Sequence, residues 1–325
     1  MLTGYRVADG RLQAVQITAD DPRDCLWIDM LDPTRDEEER LEAVLGVDLP
    51  TREEMEEIEQ SSRLYAEAGS QFMTALIPAH SESDAPIMAP VTFVLTGQRL
   101  VTIRYHDPKA FSLFQQRVAR GKSLCHTGEE VMLSLLEVMV DRLADVLERL
   151  SRDVDTISRG IFAKQTAQTQ ARRGEGWRPV LEEIGRKGDM ISNIRDSLGT
   201  LDRLAVFFGQ RLRGEVATLE QRDRVHDLAS DIRGLSDHSN FSAQKVTFLL
   251  DATLGLIGIE QNRITQIFSV VSVVFLPPTL VASVYGMNFE VMPELTWPWG
   301  YPLALCVIVA SAVLPYLGFR RKGWL

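Results

Sequence analysis

The sequence predicts an α+β chain in three parts: an N-terminal α/β region, a long helical stalk and a two-helix transmembrane hairpin. Three features predict it. Before residue 125, short β-branched and aromatic runs alternate with turn residues and charged stretches. From Gly128 onward, apolar residues recur at steps of three and four, the helical period. Near the C-terminus, the runs 264–285 and 299–319 each reach the roughly 20 apolar residues that a helix needs to cross a bilayer.

In the α/β region, residues 1–125, Leu26-Trp27-Ile28-Asp29-Met30 reads as a strand. Asp32-Pro33-Thr34 then starts a charged helix that runs to about Leu45. Pro50-Thr51 opens a second helix, rich in Glu53, Glu54, Glu56, Glu57 and Glu59. Residues 72–78, 91–95 and 100–105 read as strands, the last two joined around Gly97, and a helix from about Phe111 closes the region. The helical region, 126–262, opens with a stripe of Met132, Leu136, Met139, Leu143, Val146, Leu150, Val154 and Ile157. Acidic residues outnumber basic ones around it. A polar segment, 165–176, breaks the pattern, and a second helix over 179–212 returns antiparallel because the connection is short. A third run starts near Val216 and meets no cluster of breakers before Tyr285; Gly234, Gly255 and Gly258 are isolated. Unbroken, it makes a rod about 100 Å long at 1.5 Å per residue. Such a rod needs neighbours, so the chain is expected to oligomerise.

The two apolar runs define the remaining segments: a first span over 263–285, a connecting loop over 286–298, a second span over 299–319 and a basic tail over 320–325. The loop carries Glu290 and Glu294 and no Lys or Arg, whereas Arg263 precedes the first span and Arg320-Arg321-Lys322 follow the second. The positive-inside rule places both termini in the cytoplasm and the acidic loop outside. Trp297, Trp299 and Tyr301 fall where an outer aromatic belt belongs, and Trp324 where an inner anchor belongs. The first residues, Met1-Leu2-Thr3-Gly4-Tyr5-Arg6, have neither the basic start nor the apolar core of a signal peptide, so the large N-terminal region is expected to stay in the cytoplasm. Cys25, Cys125 and Cys306 have no metal-type spacing and are expected to be free thiols. The net charge of −10 argues against a nucleic-acid partner and suits a protein that meets cations in a lipid bilayer.

One stripe of the long helix is small or polar. Asp251, Gly255, Gly258, Asn262, Thr265, Ser269, Ser272, Leu276, Thr279 and Ser283 follow one another at alternating steps of four and three. They therefore share one narrow face. Tight helix packing explains such a face, because Ser, Thr and Gly are the usual interface residues in membranes. A water-filled pore built from several copies explains it too, and also explains the polar ends: Asp251 at the inner mouth, Asn288 and the acids Glu290 and Glu294 at the outer. Two spans per chain cannot enclose a channel, so several chains must contribute. Leu276 would form an apolar ring able to gate by dewetting, and Phe268, flanking the stripe, is a second constriction. Pro277-Pro278 removes two backbone donors within the span and is expected to kink it.

Tyr285-Gly286-Met287-Asn288-Phe289 resembles the CorA family of magnesium and cobalt transporters. The likeness continues through Met292-Pro293-Glu294-Leu295, Trp297, Gly300-Tyr301-Pro302 and Arg321-Lys322-Gly323-Trp324-Leu325. Upstream, Gln261-Asn262-Arg263 and the run from Ile267 through Pro277-Pro278-Thr279 are similar to the enterobacterial members, as are Leu26-Trp27-Ile28-Asp29 and Thr51-Arg52-Glu53. The resemblance implies a funnel-shaped homopentamer in the bacterial inner membrane that passes Mg²⁺, with Co²⁺ and Ni²⁺ as further ions. It implies an outer selectivity ring of Gly286, Met287 and Asn288, with Thr279, Leu276 and an inner acid matching Asp251 along the pore. It also implies closure by intracellular Mg²⁺ held between cytosolic subunits, for which Asp227 is the best match.

Other readings fit less well. Gly121-Lys122-Ser123 is like the end of a P-loop, but the earlier glycine is replaced by Gln116 and no strand precedes it, so an NTPase is not expected. Cys125-His126 and His226 with Asp227 do not make a four-ligand zinc spacing, so a zinc enzyme or zinc-binding sensor is not expected. A zinc-transporting relative of the same family and a non-transporting membrane scaffold stay as the alternatives.

Overall fold

The computed structural model describes residues 1–8, 11–17, 22–83, 86–121, 125–163, 176–212, 218–287, 292–293 and 297–321. Two compact units emerge, Met1–Leu249 and Leu250–Leu325.

The first unit is built on a seven-stranded sheet: β1 (Leu2–Ala8), β2 (Arg11–Gln16), β3 (Trp27–Leu31), β4 (Leu64–Glu67), β5 (Ser70–Ala79), β6 (Ile87–Thr96) and β7 (Arg99–Arg104). The spatial order is β2-β1-β3-β7-β6-β5-β4, with β3 and β7 parallel and every other pair antiparallel. The strands β3, β5, β6 and β7 lie where the sequence predicts. β1, β2 and β4 are additional; Gly4 in β1 and the charged ends of β4 hide their periodicity.

Alternation along β3 and β7 sorts the two faces. Ile28, Met30, Val101 and Ile103 join Leu41 and Met55 in one core cluster. Those last two residues come from α1 (Arg35–Leu45) and α2 (Arg52–Glu56). Both helices start with a reciprocal capping box, Thr34 with Glu37 and Thr51 with Glu54, and α1 ends on Gly46 in the left-handed region at φ 70°. The predicted Glu-rich helix is shorter than expected. It stops at Glu57, because Met55 is its one buried residue and Ile58, 89% exposed, has nothing to pack on. A second short helix, α3 (Gln60–Arg63), leads into β4.

The opposite face holds the only buried ion pair among the described residues. Arg104 grips Asp29 through two parallel bonds, Nε to Oδ1 at 3.1 Å and Nη2 to Oδ2 at 2.8 Å, with both side chains 3% exposed. Thr102 donates to Asp29 at 2.8 Å and accepts from the Trp27 indole at 3.0 Å. Tyr5 stacks on Trp27 with ring centroids 4.2 Å apart, and Phe111 and Phe114 of α4 (Lys109–Ala119) close the cluster. Burial lowers the pKa of Arg104, but the bonds and charge of Asp29 more than offset this and hold it above its ordinary value. Burial first, then the Asp29 charge, raises that of Tyr5.

Two long helices pack beside the sheet. Every residue of the predicted apolar stripe in α5 (Gly128–Ala163) is buried. α6 (Arg178–Arg211) runs antiparallel to it: Arg211 bonds Glu129 at 3.0 Å while Lys187 bonds Asp153 at 2.5 Å. The polar break, 165–175, lies outside the described residues. The long helix α7 (Leu219–Tyr285) is unbroken over 67 residues, including Pro277 and Pro278. Its first part packs in the same unit through Val225, Leu228, Ile232 and Leu249. The second unit contains the rest of α7 and α8 (Gly300–Arg321).

Removing one partner of a buried pair leaves the other charge stranded, so Asp29→Ala is expected to destabilise the first unit by about 3–5 kcal/mol. Chemical denaturation followed by tryptophan fluorescence will measure it. Gly128→Ala is expected to cost about 1–3 kcal/mol in the same assay, because its Cβ meets the Arg99 carbonyl carbon at 2.5 Å and the Leu100 nitrogen at 2.7 Å.

Candidate pore helix and its mouths

The C-terminal part of α7 and the whole of α8 are each long and apolar enough to cross a membrane, and almost none of either is buried within the chain. Leu276, Leu280, Leu314 and Phe275 stand about two-thirds exposed. Helices this apolar and this exposed need lipid or further copies around them.

The predicted stripe runs down α7 as one face. Asp251, Asn262, Thr265, Ser269, Ser272, Leu276, Thr279 and Ser283 are all exposed, and so is the flanking Phe268. The hydroxyls have a common orientation. Ser269 donates to the Thr265 carbonyl at 2.8 Å, Ser272 to that of Phe268 at 2.9 Å, and Thr279 to that of Phe275 at 2.7 Å. Each proton is spent on the helix's own backbone, which leaves oxygen lone pairs for whatever lies beside the face. Pro277 and Pro278 carry no N–H, so the carbonyls of Val273 and Val274 lack their helical donors.

At the C-terminal end of α7, Gly286 closes the helix with its N–H 3.0 Å from the Ala282 carbonyl and 3.2 Å from that of Ser283. A Cβ here would lie 3.2 Å from the Ala282 oxygen, tighter than ordinary contact. Met287 follows, half exposed. Tyr285, Gly286, Trp297, Gly300 and Tyr301 line a hollow of about 400 Å³ between the ends of the two helices. The predicted filter residue Asn288 and the acids Glu290 and Glu294 lie outside the described residues.

The acids of the helical region divide into two groups. Those of α5 are largely spent within the chain. Glu129 pairs with Arg211 at 3.0 Å, Glu137 with Arg224 at 2.9 Å and Asp141 with Arg117 at 3.2 Å, while Lys245 meets Asp155 and holds that carboxyl below its ordinary range. Asp227 is different. It stands exposed on α7 with Asp223 and Asp231 one turn to either side, and among the described residues none of the three has a cationic partner. Like charges at this spacing repel. The sequence reading singled out Asp227 alone, although the four-residue spacing of all three was legible. The acids around the α5 stripe mostly pair with cations whose positions no local pattern reveals.

Known proteins share this whole architecture. The complete structure of the CorA magnesium transporter from Methanocaldococcus jannaschii superposes with a TM-score of 0.77 at 21% identity, over 100% of this chain and 99% of that one. Magnesium transport protein CorA from Haemophilus influenzae is 36% identical over 325 residues, and that from Escherichia coli is 35% identical over 326, each covering both chains completely. The family model described as CorA-like Mg2+ transporter protein matches residues 23–321. With that match and full-length identity above a third, the chain belongs to the CorA family.

Proposed function

We propose that this chain is the subunit of a homopentameric Mg²⁺ channel in the bacterial inner membrane, with both termini in the cytoplasm. The carrying observation is the exposed α7 face whose hydroxyl protons turn inward to the helix. The outward lone pairs of these three hydroxyls accept hydrogen bonds from the waters around a cation. Mg²⁺ releases those waters reluctantly, so a wet, acceptor-lined passage suits it better than a dry cage. Backbone carbonyls freed by proline are tolerated at membrane depth where they meet water or protein, which fits a helix with one wet side.

In this reading, Gly286, Met287 and Asn288 form the outer filter, and Asn288 amides accept hydrogen bonds from the ion's water shell. Glu290 and Glu294 concentrate cations outside, an effect that salt weakens. Residues 263–285 line the pore with Asn262 below them, Leu276 and Phe268 narrow it, and Asp251 receives the ion at the inner mouth. Residues 286–298 form the outer loop, 299–319 the second span and 320–325 the inner anchor. Residues 1–125 and 126–262 form the cytosolic part. Co²⁺ and Ni²⁺, of similar charge and hydration, pass as well.

No nucleotide is needed. A unit charge gains about 2.3 kcal/mol per 100 mV, so a divalent ion gains roughly 4.6 kcal/mol, enough for about a thousandfold accumulation. That drive calls for feedback. The unneutralised series Asp223, Asp227 and Asp231 is the best-placed set for it: Mg²⁺ bound there between subunits relieves the repulsion and holds the ring closed. Loss of the ion restores the repulsion and opens it.

Proteoliposomes holding a Mg²⁺-sensitive dye test this under an inside-negative potential. Potential-driven Mg²⁺ entry is expected in the wild type and its loss in Asn288→Ala. Zn²⁺ flux that follows a proton gradient, without Mg²⁺ entry, would move the chain to the zinc-transporting alternative, and no flux at all to the scaffold. Leu276→Ser is expected to raise Mg²⁺ entry severalfold when internal Mg²⁺ is high, by wetting the apolar ring. Unchanged entry would place the gate elsewhere.

A further inference from the structure

The edge of the sheet changes cover partway along β5. β4 pairs with residues 70–73 of that strand, and beyond it the Leu76 N–H is taken by the Thr200 hydroxyl of α6 at 3.0 Å. Where strand gives way to helix lies a cavity of about 230 Å³, lined by Ile58, Arg63, Leu64, Thr74, Thr200 and Arg203. Its lining includes two arginines, Arg63 half-buried and Arg203 exposed, and no acidic residue.

Its hydroxyls are already committed. Thr74 shares a proton with Thr92 at 2.7 Å, and Thr200 donates to the Ser197 carbonyl at 2.8 Å. The remaining donors are the arginines. Arg63 is anchored by its Nε on the Glu57 carbonyl at 2.6 Å, which leaves both terminal nitrogens free to turn to the cavity. Arg203 makes no hydrogen bond or ion pair among the described residues. Burial, then the charge of Arg203, lowers the pKa of Arg63, and no acid offsets either effect.

A second cavity, of about 420 Å³ beside α4, makes the contrast clear. There Glu82 takes Arg142 at 2.6 Å, Lys109 at 3.2 Å and Arg149 at 3.4 Å, and Arg142 and Lys109 hold its carboxyl at about 2. Each of those cations has a carboxylate of the chain within ion-pair distance. Arg63 and Arg203 make no such ion pair among the described residues.

We infer that the corner between β4, β5 and α6 binds a small phosphate-bearing anion, clasped between Arg63 and Arg203. Guanidinium forks match the paired oxygens of a phosphate, and two of them balance its double charge. The cavity is smaller than the usual range for drug-sized ligands, so it takes a free phosphate or the phosphate end of a larger molecule. An adjoining hollow shares Leu64 and Arg203 and adds Val206 and Phe207, against which a base could rest, and the polar Ser61, Asp202 and Gln210, which could meet the hydroxyls of a ribose.

The test uses the full chain in nanodiscs in chloride buffer, with inorganic phosphate and AMP as probes, read by phosphorus NMR line broadening and thermal unfolding. Saturable binding is expected in the wild type. Arg203→Met is expected to weaken it about tenfold or more, Arg203→Lys less, and Arg186→Met, an exposed arginine elsewhere on α6, not at all. Without phosphate, Arg203→Met is expected to melt no lower than the wild type, because it removes a repulsion; a purely structural arginine would melt lower. Tighter AMP than phosphate assigns a nucleotide source, and equal affinity assigns free phosphate. Non-saturable binding, equal binding in Arg203→Met, or a lower melting temperature for that variant without phosphate overturns the site.

Discussion

Hydrocarbon offers a peptide group no hydrogen-bond partner, and the membrane part of this protein is organised around that fact. It requires the spanning segments to be helices, and it explains why serine and threonine in α7 turn their protons to the backbone four residues earlier. It also makes the Pro277-Pro278 pair informative. Two missing donors in the middle of a span are tolerable where the freed carbonyls find water or protein, and the same helix carries a polar face along its length.

The first unit answers a different constraint, the cost of buried charge. Asp29 and Arg104 are both removed from water, and the pair is held because each oxygen and nitrogen has a partner: a bidentate grip, Thr102, and the indole of Trp27 behind it. Elsewhere the unit neutralises its acids in place, with Arg211, Arg224, Arg117, Lys187 and Lys245 each taking one carboxylate of α5. Three aspartates in series on α7 and two arginines around one cavity make no such ion pair among the described residues.

Much of this was legible in the order of residues. The stripe from Met132 to Ile157 reads as a buried helix face because a period of 3.6 leaves little alternative, and Thr34 with Glu37 marks a helix start through a purely local exchange of hydrogen bonds. β1 was not legible. Its Gly4 looks like a break, and only the fold gives the reason for it: a Cβ there would lie 2.6 Å from the Cys25 sulfur on the neighbouring segment. The helix after Thr51 was read too long, since Glu57 and Glu59 have good helix propensity but no apolar neighbour to hold a further turn.

The sequence by itself determined the span helices, their polar stripe and the motif at Gly286-Met287-Asn288, because each depends on periodicity, length or adjacency along the chain. The tertiary structure decided which charges are spent and which edge of the sheet is covered. Those outcomes depend on distances between residues such as Arg63 and Arg203, or Glu137 and Arg224, that lie far apart in the chain. Electrostatic and hydrogen-bond energies follow separation in space, and folding alone sets that separation.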